Sequence, residues 1–186
     1  VHFINDNAGS ELAMDLALVD TLLDGIVDEV VLHLKMHPTF VSDALVKDVW
    51  MFLDILTEQG GTFAALAERL RSAIDAGRLR LIPNLLWNSS HFLWDAPPHL
   101  LNGFKDARLV IVKGDANYRR IVGDAFWPVD TPFADVMAYF PAPLLALRTL
   151  KSDPIVGLPS GMAEQLDGLD KNWRVNGRRG VIQFKA

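Results

Sequence analysis

The chain has 186 residues, 50% hydrophobic and 22% charged, with 18 Lys+Arg against 23 Asp+Glu for a net charge of −5. That balance excludes a disordered, collagen-like or coiled-coil chain and disfavours a nucleic-acid partner, while local cations or a metal still admit a small anionic substrate. Cysteine is absent, which removes disulfides, thiolate metal sites and cysteine nucleophiles, and charges cut every apolar stretch short of membrane-spanning length.

Residues 1–5 read as a short buried strand. A helix follows, with Leu12, Leu16, Val19, Leu23 and Ile26 spaced four, three, four, three. Residues 30–34, Val-Val-Leu-His-Leu, form the continuous apolar run of a strand covered on both faces. After Pro38 the spacing predicts a second helix with Leu45, Val49, Phe52 and Leu56 on one stripe. Gly60-Gly61 ends it, and Thr62 is expected to cap a third helix carrying Phe63, Leu66, Leu70 and Ile74. Residues 79–82 form a strand stopped by Pro83, and residues 84–106 read as irregular and aromatic-rich. A strand over 109–112 leads into a helix ending at Gly123, and residues 124–142 read as loop with a short helix. Strands over 144–147 and 180–184 complete the pattern, with Ser160-Gly161 as a turn. Strands alternating with helices predict an α/β fold, a three-layer α/β/α sandwich with a mostly parallel, Rossmann-like sheet.

In such a sheet ligands bind beyond the carboxyl ends of the strands. The first strand runs into Asn5-Asp6-Asn7, and the second into Lys35-Met36-His37-Pro38 and then Ser42-Asp43. The strand over 109–112 delivers Lys113, Asp115, Asn117 and Arg119; the strand over 144–147 delivers Arg148 and Lys151. Each residue also has a plain structural reading. Asp6 or Asn7 would cap the first helix, Ser42 or Asp43 the second, and the cations would sit in water. Together, the oxygen donors Asp6, Asn7 and Asp43 beside several cations point to a divalent metal and a phosphate, with Mg²⁺ or Mn²⁺ suiting the donors better than zinc.

Other signals are missing or fail on context. The sequence holds no GxGxxG, GxxxxGK[ST] or GxSxG string. His33 and His37 fall in a strand and its exit, where residues four apart do not meet, so a structural role is expected. Trp87, Trp94 and Trp127 are read as packing residues before they are read as a lid.

Four strings resemble a known family. They are Phe3-Ile4-Asn5-Asp6-Asn7-Ala8-Gly9-Ser10-Glu11-Leu12, Val41-Ser42-Asp43, Lys113-Gly114-Asp115-Ala116-Asn117-Tyr118-Arg119 and Leu147-Arg148-Thr149-Leu150-Lys151-Ser152-Asp153. In this order they are similar to the damage-control phosphatases, whose sugar-phosphate branch has also been labelled an acidic-residue methyltransferase. The resemblance implies a metal-dependent phosphatase of reactive phosphometabolites such as fructose phosphates. It places the metal on Asp6, Asn7 and Asp43, with Mn²⁺ or Mg²⁺ expected and Co²⁺ or Ni²⁺ admissible. Lys113 and Lys151 fall where the family handles phosphate, and Asp115, Asn117 and Arg119 sit in the matching KGDxNYR string.

Family members carry a helical domain ahead of the first motif. The expectation is therefore that residues 1–186 form a catalytic domain, a fragment on which that upstream domain packs. Asp115, Lys113 and Lys151 are the expected catalytic residues, and Asn117, Arg119 and Arg148 the expected substrate contacts. Asp115 is read either as handling the attacking water or as supporting the metal. The expected partner is a small phosphorylated metabolite, with no nucleic acid and no membrane, in the cytoplasm. The first rival, an S-adenosylmethionine-dependent carboxyl methyltransferase, would need a glycine-rich loop after the first strand and an acid after the second, where Lys35 stands. The second rival is a non-catalytic metabolite-binding domain.

Overall fold

Strand β1 (His2–Ile4) comes from the apolar run at the start of the chain, and its Phe3 and Ile4 are buried. It pairs in parallel with β2 (Val30–Leu34), which pairs in parallel with β3 (Leu79–Pro83). The structure is a computed structural model describing residues 1–186, and the chain divides into two compact units, Val1–Ser89 and Ser90–Ala186.

The first unit holds these three strands and three long helices. Helix α1 (Ser10–Leu23) buries Leu12, Leu16, Val19 and Leu23, as the spacing predicts, but ends before Ile26, which is 56% exposed. Helix α2 (Val46–Gln59) buries Val49, Leu53 and Leu56. Leu53, rather than the expected Phe52, takes the middle place on the stripe, because a 49–53–56 spacing follows the 3.6-residue turn equally well. Helix α3 (Gly61–Asp75) packs against α2 and buries Ala67, Leu70 and Ala73. Its N-cap is Gly60, so Thr62 lies inside the helix, and Phe63 is exposed. The buried face of α3 thus rests on two alanines and one leucine.

The second unit opens with one 3₁₀ turn (Leu93–Asp95) and the short helix α4 (Pro98–Asn102); the other 3₁₀ turn of this aromatic region, Leu85–Asn88, still belongs to the first unit. Strand β4 (Val110–Lys113) pairs in parallel with β5 (Leu144–Thr149), and β5 pairs antiparallel with β6 (Gly180–Lys185). Between β4 and β5 lie α5 (Asp115–Val122) and the single-turn α6 (Phe133–Val136). Helix α7 (Met162–Leu169) follows β5, directly after the expected turn at Ser160-Gly161, and has no counterpart among the elements predicted from spacing. Ala163 of α7 packs with Leu150, Ile155 and the fully buried Trp173 in a core cluster.

Five strands are parallel to their neighbours within their units and β6 alone is reversed. With helices between them they give the mostly parallel α/β fold expected from the sequence. No helix is long and apolar enough to cross a membrane.

Candidate functional site

In the first unit the expected metal residues lie on two chain segments zipped together just past β1 and β2. Asn7 and Asp43 form an antiparallel bridge, flanked by Ala8 N–H donating to Ser42 O at 2.7 Å and Ala44 N–H to Asp6 O at 3.0 Å. On the other side, Lys35 N–H donates to Ala44 O at 3.3 Å. The backbone thus sets Asn7 opposite Asp43, a spacing at which side chains on the same face of a ladder meet.

The side chains are already tied to one another. Asn7 Nδ2 donates to Asp6 Oδ2 at 2.7 Å and to Glu11 Oε2 at 3.0 Å, while Ser42 Oγ donates to Asn7 Oδ1 at 2.6 Å. Asp43 is buried and accepts from three donors: Lys35 Nζ on Oδ1, and the N–H groups of Thr39 and Phe40 on Oδ2, each at 2.7 Å. These bonds settle the capping alternatives. Asp43 caps the 39–43 turn and not α2, whose N-cap is Leu45. Ser42 bonds Asn7 and not the helix, and Gly9, rather than Asp6 or Asn7, is the N-cap of α1.

The donor chemistry fits a hard divalent cation: two carboxylates and an amide oxygen, all oxygen, with roughly four lone-pair sites on each ionised carboxylate. No group of three His, Asp or Glu side chains is placed to hold a metal ion. A metal here would therefore need the Asn7 amide as its third side-chain donor.

In the second unit the KGDxNYR string turns from β4 into α5 at Gly114, whose φ of +88° favours glycine. Asp115 opens the helix, and the chain leaving β5 wraps around it. Asp115 Oδ1 accepts from Arg148 Nε at 2.8 Å, Ser152 Oγ at 3.0 Å and Lys151 N–H at 3.2 Å. Oδ2 takes no hydrogen bond from the protein, and the side chain is 16% exposed. Lys151 is exposed at the rim, and Lys113 is half-buried at the end of β4.

Arg148, expected against the substrate, has its side chain fully enclosed. Besides Asp115 it donates to Pro154 O and to Ser152 O at 2.7 Å and Oγ at 2.9 Å, with its guanidinium 4.3 Å over the Tyr118 ring. Burial pushes the Tyr118 phenol up, and its hydroxyl donates to Gln183 Oε1 of β6 at 2.8 Å. Asn117 is also buried; it donates to Lys113 O at 2.9 Å and accepts from Arg120 at 2.8 Å. Arg119 forms a two-pronged pair with Asp124 at 2.7 and 2.6 Å. That hydrogen bonding holds the Asp124 carboxyl below its ordinary range and the guanidinium above its own.

Two participants escaped the sequence reading. From the sequence, Lys35 reads as a strand exit and as a residue standing where a methyltransferase would want an acid, with no site role, although a lysine directly following a doubly covered strand is a signal in itself. Ser152 lay inside a matched string with no role assigned. The other aromatic and histidine expectations resolve as packing. His33 stacks on His2, Trp94 meets Tyr139 edge-on, Trp87 is buried, and Trp127 donates to Val122 O at 2.8 Å.

Comparison with known proteins matches residues 1–166 to the family described as the damage-control phosphatase ARMT1-like domain. Proteins named damage-control phosphatase ARMT1 are similar along the whole chain. The Xenopus tropicalis protein is 34% identical over 192 residues, covering 100% of this chain and 44% of that protein. The Mus musculus protein is 34% identical over 190 residues, covering 99% and 43%. The Homo sapiens protein is 32% identical, with the same coverage as the mouse protein. The chain thus spans less than half the length of the curated relatives it matches.

Proposed function

Because the chain belongs to the damage-control phosphatase ARMT1-like domain family, we propose that it is a metal-dependent phosphomonoester hydrolase of small phosphorylated metabolites. Sugar phosphates such as fructose 1-phosphate or fructose 6-phosphate are the proposed substrates, and the cytoplasm the proposed location. Asp6, Asn7 and Asp43 would hold Mn²⁺ or Mg²⁺. Such an ion, when bound, supplies Lewis acidity toward a phosphoryl oxygen and lowers the pKa of a water. The upstream helical domain implied by the family resemblance is the proposed packing partner.

The observation that carries the reading is the treatment of Asp115. Three donors fix one carboxylate oxygen and leave the other open, which supports a role in orienting the attacking water or taking its proton. Lys113 and Lys151 stabilise charge on the phosphoryl oxygens as the ester bond breaks. Arg148 and Asn117 hold this arrangement from within, since their polar groups bond to the protein itself. Arg119 fixes the chain leaving α5 through Asp124.

The test is phosphate release from a panel of sugar phosphates, after chelation and re-addition of Mn²⁺ or Mg²⁺. Hydrolysis should depend on the ion. Lys151→Ala and Asp115→Asn should each lower turnover by about 10²–10³, the usual loss when a preorganised group facing developing charge is removed. No release from any sugar phosphate with either ion, or parental rates in both variants, would overturn the assignment.

A further inference from the structure

Lys35 closes β2, and its side chain runs into the 39–45 corner. There its ammonium has one acceptor, Asp43 Oδ1, and lies 5.6 Å from the centre of the Phe40 ring. The two side chains are 3% and 2% exposed. Backbone bonds grip the same segment: Lys35 N–H donates to Ala44 O, and Lys35 pairs with Leu45 in a parallel bridge.

Stability alone does not account for this pair. An ammonium offers three donors, and burying it with a single acceptor gives up more hydration than one ion pair returns. Apolar residues of similar volume commonly replace such pairs without loss. What the ammonium does provide is a fixed positive charge on a carboxylate that also accepts two backbone N–H groups.

We propose that Lys35 is a positioning residue, the resident counter-cation of Asp43. It holds the carboxylate in place while no metal is bound, and a divalent ion then competes with it for the same negative charge. The proposal rests on Asp43 being a metal ligand. Its consequence is directional: Lys35 preorganises the site and at the same time weakens its grip on the ion.

Mn²⁺ alone serves as the probe, with binding measured by titration calorimetry and melting followed with and without the ion. The parent chain, Lys35→Gln and Lys35→Arg are compared. Lys35→Gln should bind Mn²⁺ on the order of tenfold more tightly, a common size for coupling between two sites. It should also melt lower than the parent without the ion and gain more from adding it. Lys35→Arg, which keeps the charge, should resemble the parent. Equal or weaker Mn²⁺ affinity in Lys35→Gln, with normal binding by the parent, would overturn the proposal and leave the metal reading standing. A parent chain that neither binds Mn²⁺ nor shifts its melt would remove the metal reading and the proposal together. Folding of Lys35→Gln only when Mn²⁺ is present supports the exchange of cations; failure to fold even then overturns it.

Discussion

Asp48 and Asp43 stand five residues apart, and their carboxylates do different work. From helical spacing alone Asp48 reads as a solvated charge, because it precedes the buried Val49 by one position. Its Oδ2 instead accepts the Leu45 N–H at 2.9 Å and satisfies a donor at the mouth of α2. Asp48→Ala should therefore cost about 0.5–2 kcal/mol, the range for losing a side-chain bond at a helix start. In a chain of this length that is a fall of a few degrees in melting temperature. Mn²⁺ affinity should not change, because the Asp48 carboxylate bonds Leu45 and none of the proposed metal residues. A melt within error of the parent would show that the bond contributes nothing. Asp43 is unlike it in kind, since replacing it by Asn would strand the buried Lys35 ammonium and could not leave the fold untouched. Helical spacing locates a residue around a helix axis but not where the helix begins, and the role of Asp48 depends on that beginning.

Whole elements were easier to read where both neighbours constrain the pattern. Strand β2 has an unbroken apolar run because it is paired on both sides, and the predicted residues match the observed ones. Helix α7 went unseen because it buries only Ala163, too little to leave a periodic signal. The C-terminus of α5 was legible from Gly123 alone, and the structure explains why that glycine is needed. Its φ is +76°, and a Cβ there would come within 1.6 Å of the Trp94 ring. Trp94 in turn meets Tyr139 edge-on and Phe92 at a tilt, so moving the indole aside would give up both ring contacts. Gly123→Ala should cost at least the roughly 1–3 kcal/mol usual for overpacking. Gly25→Ala is the control: its φ is +85° with nothing within 4 Å, so it carries the backbone strain without the clash. Equal losses in the two variants would show that Trp94 moves aside freely.

On the scale of the molecule, acid stability should be governed in part by a histidine pair, thirty-one residues apart in the chain, that no local spacing couples. His2 Nδ1 and His33 Nε2 lie 3.0 Å apart with their rings stacked, and Trp87 meets His33 edge-on. Burial lowers His2 to about 4. Burial, then the charge on His2, lowers His33 to about 3. The unfolded chain takes up these protons near pH 6.5 and the folded one does not. Their contribution to stability is therefore full above pH 6.5 and is lost as pH falls toward 4 and 3. Melting temperature should decline over that window, and His33→Gln, which cannot be protonated, should decline less steeply. An identical acid slope in the variant would refute this. The fold class and the strand-end strings were legible because they rest on local pattern. The partnerships of Lys35 with Asp43, Asn5 with Asp15, and Arg148 with residues 115 and 152–154 were not, because they join side chains that only the folded topology brings together.

The enclosure of Arg148 also bears on when the second unit is completed. A guanidinium cannot shed its charge to ease its way into a core. Arg148 therefore enters its place only when Asp115, thirty-three residues earlier, and the carbonyls of Ser152 and Pro154 are ready together. Closing that many residues of chain costs entropy before the contacts return anything, so such long-range junctions belong to the later stages of assembly. Until then Asp115 has no fixed surroundings, and the loop carrying Lys151 has nothing to wrap around. A half-made chain would hold the same residues without the fixed surroundings of Asp115, so that arrangement is completed late in folding and not by degrees.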